Sequence, residues 1–245
     1  MDWNVTARMD EPWVREYNED RELTGWFLLD LSPSVDFGTA DDERQKRAVL
    51  VDFVAVLARL LTRRGNRIGA MLYGGAADRT IPVAGTRRQV LRLIDAVMDD
   101  EPLDRAPMTD LGLLLMRACS VLKRRSLVFI VSDFISEPGW ERPLHLLSRR
   151  HEVVAIRLID PRETDLPDMG PVVLQDAETG EQMVVDTSDR GFRQRFAEAA
   201  ERREAAIAAA FARAGVDALT LSTDDDLVRA IVAMAARRRR RRRVA

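Results

Sequence analysis

The stretch Phe27-Leu28-Leu29-Asp30-Leu31-Ser32-Pro33-Ser34 decides how the rest of the chain is read. An apolar run closes on an aspartate, and two serines follow at alternate positions. This places Asp-x-Ser-x-Ser at the end of an expected buried strand. Three short oxygen-bearing side chains on one tight loop offer a hard cation a carboxylate and two hydroxyls. Mg²⁺ takes six oxygens at about 2.0–2.1 Å and keeps several waters, which short ligands accommodate. The same residues also suit a plain turn that caps the next helix.

Outward from this stretch, apolar runs and helical patterns alternate. Leu23 to Asp30 reads as the first central strand, continuously apolar at its end and so buried on both faces. Asp41-Asp42-Glu43-Arg44 is an acidic first turn. Val49, Leu50, Phe53, Val54, Leu57, Leu60 and Leu61 then mark a helical face that Gly65 ends. The charges Arg44, Lys46, Arg47, Arg63 and Arg64 are expected on the solvated side of that helix. Arg67–Tyr73 and residues 79–83 form a predicted hairpin across Gly74-Gly75. A helix from Thr86 and a helix opened by Thr109 or Asp110 follow. Ser126 to Asp133 repeats the opening theme, with an aspartate at the end of an apolar strand. A helix over 140–149 and a strand over 152–158 come next. Val172-Val173-Leu174 and Gln182-Met183-Val184-Val185 read as a surface hairpin. A long helix over 192–214, a strand over 217–221 and a helix from Asp224 to about Ala236 complete the pattern.

Strands alternating with helices predict an α/β, doubly wound, mostly parallel sheet with helices on both faces. The expected strand order is 3-2-1-4-5-6 with one antiparallel edge strand. Residues 1–22 read as an N-terminal extension or edge segment, with Val14-Arg15-Glu16-Tyr17 as a short edge strand. Residues 23–236 read as a single domain with a hairpin insertion near 171–186, and 237–245 as a disordered Arg-rich tail.

Composition narrows the function classes. The single cysteine, Cys119, excludes an internal disulfide and lies in an apolar stretch that reads as core. Two histidines, His145 and His151, are too few for a zinc site with one cysteine. No run of about 18 uncharged apolar residues predicts a membrane span. The net charge of −2 hides an asymmetry, since Arg237 to Arg243 are seven consecutive arginines. Removing them from 38 basic residues leaves 31 against 40 acidic ones, a body of about −9. No aromatic interleaves these arginines to stack on bases, so nucleic acid is not the expected partner.

In an open sheet of this kind ligands sit beyond the carboxyl ends of the strands, where the strand order reverses. Asp30 and Asp133 both fall at carboxyl ends, on strands expected to be neighbours. The resulting oxygen set is Asp30, Ser32, Ser34, Thr109 and Asp133, with Asp36 and Asp110 at its flanks holding waters.

This set resembles the metal-ion-dependent adhesion site (MIDAS) of a von Willebrand factor type A (vWA) domain. That site is Asp-x-Ser-x-Ser, then a threonine at a later helix start, then an aspartate after the fourth strand. The flanks are similar to the bacterial family called domain of unknown function 58. They include Asp2-Trp3-Asn4-Val5-Thr6-Ala7-Arg8, Leu29 to Gly38, Ser132-Asp133-Phe134, His151-Glu152-Val153-Val154-Ala155 and Ala177-Glu178-Thr179-Gly180-Glu181. The resemblance implies a cytoplasmic protein that binds Mg²⁺ (or Mn²⁺ or Ca²⁺) at those five positions. It also implies an adaptor that engages a protein partner through an acidic residue, with a MoxR-type AAA+ ATPase as the associated machine. Members commonly carry more chain before the Asp-Trp pair, sometimes with membrane helices. They commonly place glycines before the threonine, where this chain has Ala106-Pro107-Met108.

Two other readings stand beside this one. A metal-free structural scaffold would use Asp30 and Asp133 as turn caps. A metal-dependent hydrolase would need two carboxylates and a cation to orient a water. The chain has no Gly-x-Ser-x-Gly elbow, Walker-type loop or Gly-x-Gly-x-x-Gly, so the expectation is a binding module and not an enzyme.

Overall fold

The central strand, β1 (Thr24–Asp30), carries the decisive stretch, and the sheet is built outward from it. The fold is that of a computed structural model, which describes residues 23–36, 45–75, 78–100, 109–176 and 179–244. The edge strand expected over 14–17 and the acidic turn at 41–44 lie outside the described residues. On one side β1 pairs in parallel with β2 (Arg67–Tyr73), and β2 pairs antiparallel with β3 (Arg79–Ala84). On the other side β1 pairs in parallel with β4 (Leu127–Ser132), then β5 (Glu152–Ile159), then β8 (Asp217–Ser222). The order β3-β2-β1-β4-β5-β8 is the one expected from the sequence, including its antiparallel edge. The sixth strand of the sheet is the eighth in the chain because β6 (Pro171–Gln175) and β7 (Gln182–Asp186) form a separate hairpin.

Alternation along each strand feeds two cores, one per face. Phe27 and Leu29 of β1, Phe129 and Val131 of β4 and Val154 and Ile156 of β5 face one layer. That layer holds α1 (Lys46–Arg63), α2 (Arg87–Met98) and α6 (Leu227–Val244). Trp26, Leu28, Val128, Ile130, Val153 and Ala155 face the other layer. This second layer holds α3 (Leu111–Val121), α4 (Glu141–Arg150) and α5 (Arg190–Ala214). Phe27 stacks on Phe129 with centroids 5.4 Å apart, tying the two strands that end in the aspartates. Cys119 packs against the second core, and burial raises its thiol pKa, as suits an inert core thiol.

Two departures from the expected elements have simple causes. The last helix continues past Ala236 through the arginine run to Val244, since alanine and arginine are both strong helix formers. The register of β2 on β3 shifts between Ile68 and Ala70. There the buried Gln89 side chain donates to the carbonyls of Ile68 at 3.1 Å and Pro82 at 2.7 Å, so both backbone groups keep a donor.

Candidate metal centre

β1 and β4 are adjacent, and the chain leaves them in different directions, which opens a crevice at their carboxyl ends. Asp30 is the last residue of β1 and is fully buried. Its Oδ1 accepts from the Ser32 backbone N–H at 3.1 Å, which bends the chain into the one-turn 3-10 segment Pro33–Asp36. Its Oδ2 accepts from the Ser132 hydroxyl at 2.6 Å across the β1–β4 pair. The Ser32 and Ser34 hydroxyls lie 3.0 Å apart, both buried. Gly74, with φ +83°, turns the chain close beneath them, and a Cβ there would lie 3.1 Å from the Ser32 nitrogen.

Alternation puts Asp30 on the side of Leu28 and Asp133 on the side of Val131. Asp133 lies just past Ser132, the last paired residue of β4, and reaches Lys46 at the start of α1, in the layer that Val131 faces. The next residue, Phe134, has φ +56°, a strained conformation for a non-glycine residue. It is held by the rings of Trp140 and Phe211, whose centroids lie 5.5 and 4.8 Å away. The turn fixes Asp133, whose Oδ1 accepts from the Ile135 N–H at 2.9 Å. Burial and then the Asp133 charge push the Asp30 carboxyl from its ordinary 3.8 up to about 6. The two carboxylates therefore share one low-dielectric site.

Thr109 is buried at the start of the segment leading into α3. Its carbonyl accepts from the Ser136 hydroxyl at 2.8 Å and the Glu137 N–H at 2.9 Å, which anchors it to the loop that follows Asp133. Residues 101–108, including Ala106-Pro107-Met108, lie outside the described residues. Asp110 is the N-cap of α3, accepting from the Leu113 N–H at 3.3 Å. Asp36 pairs with Arg47, a more direct role than the water-holding one expected for it.

The solvated-face reading of α1 needs correction at two positions. Arg63 and Arg64 are exposed, as expected. Lys46 is fully buried, and its ammonium donates to Asp133 Oδ2 at 3.0 Å and Glu163 Oε1 at 2.7 Å. Arg47 is largely buried and also donates to the carbonyls of Val97 at 3.3 Å and Asp100 at 2.8 Å. The reason is position: the first turn of α1 meets the carboxyl edge of the sheet, where buried carboxylates need partners. Burial lowers the Lys46 pKa, but Asp133 and Glu163 more than offset it and hold the ammonium above its ordinary range. Three groups thus join the site that sequence reasoning missed: Lys46, Glu163 and Ser132. Two had a signal. Lys46 continues the buried stripe of Val49, Leu50 and Phe53 one turn earlier. Asp160 to Glu163 is an acidic capping-box pattern just after a strand.

The donor chemistry fits a small hard cation. Among the described residues no group of three or more His, Cys, Asp or Glu is placed to hold a metal ion, so a site built on the two carboxylates would need hydroxyls as further ligands. The Ser32 and Ser34 hydroxyls are hydrogen-bonded to each other at 3.0 Å, a separation also compatible with adjacent vertices of an Mg²⁺ octahedron, about 2.9 Å apart for bonds of about 2.0–2.1 Å. The like charges of Asp30 and Asp133 favour a cation between or beside them.

Comparison with known proteins agrees with this architecture. The family model described as "Protein of unknown function DUF58" matches residues 1–206. Uncharacterized proteins of Mycobacterium tuberculosis and Mycobacterium bovis are each 39% identical over 233 residues, covering 95% of this chain and 72% of their own. Among solved structures, an aerotolerance-related membrane protein from Bacteroides fragilis superposes with a TM-score of 0.57 at 13% identity. That match covers 87% of this chain and 97% of the other. BatB from Bacteroides thetaiotaomicron superposes with a TM-score of 0.53 at 14% identity, over 87% of this chain and 99% of its own. At these identities the likeness is one of fold.

Proposed function

Because the chain belongs to the DUF58 family and has a vWA-like fold, we propose that it is a metal-ion-dependent protein-interaction module. One observation carries the reading. Asp30 and Asp133, buried at the carboxyl ends of neighbouring strands, interact electrostatically, and Asp30 lies beside the hydrogen-bonded hydroxyls of Ser32 and Ser34. Asp30, Ser32, Ser34, Thr109 and Asp133 are the residues that would hold the ion. Mg²⁺, or Mn²⁺ or Ca²⁺, would supply a positively charged open position there, to which an acidic side chain of a protein partner is attracted. Hydroxyl ligands add no charge, so the site keeps its appetite for an acid. Ser132 and the Ser32 N–H orient Asp30, and Ile135 orients Asp133, so the ligands are set before binding. A MoxR-type AAA+ ATPase as the partner, and the cytoplasm as the place of work, are what the resemblance in sequence implies. No helix among the described residues is long and apolar enough to cross a membrane. The reading assigns recognition, not turnover, to the site.

The test uses purified chain and a purified MoxR-type ATPase, with Mg²⁺ or with a chelator. Binding is expected only with metal, and calorimetry should show Mg²⁺ affinity lost in the Asp30→Ala, Ser32→Ala double variant. Unchanged Mg²⁺ affinity in that variant overturns the proposal. The Lys46 ammonium favours a second reading, the metal-free scaffold, because it already supplies positive charge to Asp133. A wild-type chain that binds no divalent ion would favour that scaffold.

A further inference from the structure

We propose that Lys46 is a tethered counter-cation that competes with the divalent ion for the Asp133 carboxylate and thereby sets how tightly the site binds metal. The proposal rests on the metal-dependent reading above. Lys46 is an improbable place for a charge unless that charge is used. It is the first residue of α1, where the helix dipole disfavours a cation. Its side chain is also wholly removed from solvent. Only specific partners offset both penalties.

Those partners are built, not incidental. Glu163 lies in the one-turn segment Pro161–Glu163 that follows β5. A reciprocal cap fixes it: Asp160 Oδ1 accepts from the Arg162 N–H at 2.9 Å, and Glu163 Oε2 accepts from the Asp160 N–H at 3.3 Å. Asp160 in turn accepts from the Thr223 hydroxyl at 3.3 Å, just past β8. With Oε2 held by the backbone, Oε1 is left for the ammonium at 2.7 Å. The ends of β5 and β8 therefore aim Lys46 at the carboxylate that follows β4.

The consequence falls on Asp133. Its Oδ1 serves the Ile135 N–H and its Oδ2 serves Lys46. Each oxygen already carries a donor, so an ion must share Asp133 with a positive charge or reach it through water. Repulsion between that charge and a divalent ion in a poorly screened site weakens metal binding. Glu163 moderates the effect by neutralising part of the ammonium.

Opposite signs in two variants test this. Calorimetric titration of MgCl₂ and MnCl₂ into Lys46→Gln, which keeps donors for both carboxylates but no charge, should show affinity at least about tenfold higher than wild type (about 1.4 kcal/mol). Glu163→Gln leaves the ammonium less neutralised and should weaken affinity several-fold, while its amide oxygen still accepts from Asp160. Lys46→Arg should stay near wild type. A merely structural lysine would make Lys46→Gln and Glu163→Gln both weaken binding, which overturns the proposal. So does unchanged affinity in Lys46→Gln. If Lys46→Gln does not fold, Lys46→Met takes its place with the same rise expected, and a fall or no change in Lys46→Met, or tighter or unchanged binding in Glu163→Gln, refutes the competition. Binding in Lys46→Gln with none in wild type upholds it. No binding in any variant defeats the metal-dependent reading itself and this proposal with it.

Discussion

Asp30→Asn separates a site held ready for a cation from a turn that merely caps a strand. In the metal-free fold the Asp30 carboxyl sits at about 6 against an ordinary 3.8, chiefly through burial and then the Asp133 charge. A difference of about two units at 1.36 kcal/mol each sets an upper limit near 3 kcal/mol on the penalty of keeping Asp30 ionised. The sign follows from the raised value. The folded state takes the proton more readily than the unfolded one, so this contribution to stability is fully present below about pH 3.8. It is lost as pH rises through about 6. Asparagine removes the charge and keeps an acceptor for the Ser32 N–H. It disturbs the Ser132 hydroxyl, which now faces an amide while still accepting from the Phe134 N–H at 2.8 Å, a loss of about 1 kcal/mol. Asp30→Asn should therefore be more stable than wild type by about 2 kcal/mol at pH 8 in chelator, and the gain should vanish by about pH 4. Urea denaturation of both proteins across that range reads the difference, and titration of groups remote from Asp30 cancels between them. Added Mg²⁺ should then stabilise wild type, by about 2.7 kcal/mol at a hundred times Kd, and leave the variant unmoved. A stability difference that is flat with pH, or an asparagine variant less stable at pH 8, refutes the reasoning.

Other expectations follow from single contacts. Ser32→Ala should leave the melting temperature in chelator within a few degrees of wild type but reduce the Mg²⁺-dependent shift in a thermal-unfolding assay. Gln89→Leu strands the Ile68 and Pro82 carbonyls and should lower stability by about 1–3 kcal/mol in urea titrations. Trp140→Ala removes the ring that braces the strained Phe134 and should cost about 3–5 kcal/mol, with the Mg²⁺-dependent shift reduced as well. His151 is buried with neither ring nitrogen bonded among the described residues, and burial, then Arg150, depresses its pKa. The unfolded chain takes that proton more readily, so its contribution to stability is present above about pH 6.5 and lost as pH falls below it. His151→Leu should accordingly gain on wild type between pH 7.5 and 5 in denaturation curves, and no convergence or gain there would count against it.

The sheet was legible because its signals are local. Each central strand is an apolar run ended by a turn residue, and the Gly74-Gly75 turn marks the antiparallel edge. The aspartates at the ends of β1 and β4 were legible for the same reason, since position at a strand's carboxyl end is a local property. What surrounds them was not. Lys46 and Glu163 are separated by 117 positions and meet only because β4, β5 and β8 are neighbours and α1 starts over their ends. A lysine near a helix start reads as solvent-facing by default, because burying a charge is costly unless partners are known. The default fails where the sheet gathers acids at one edge. A buried carboxylate pair creates a demand for positive charge that the chain can meet with its own ammonium, with an ion from solution, or with both in competition. The balance between those two suppliers is set by residues that no spacing rule connects. It decides whether the crevice is a binding site or a closed part of the core.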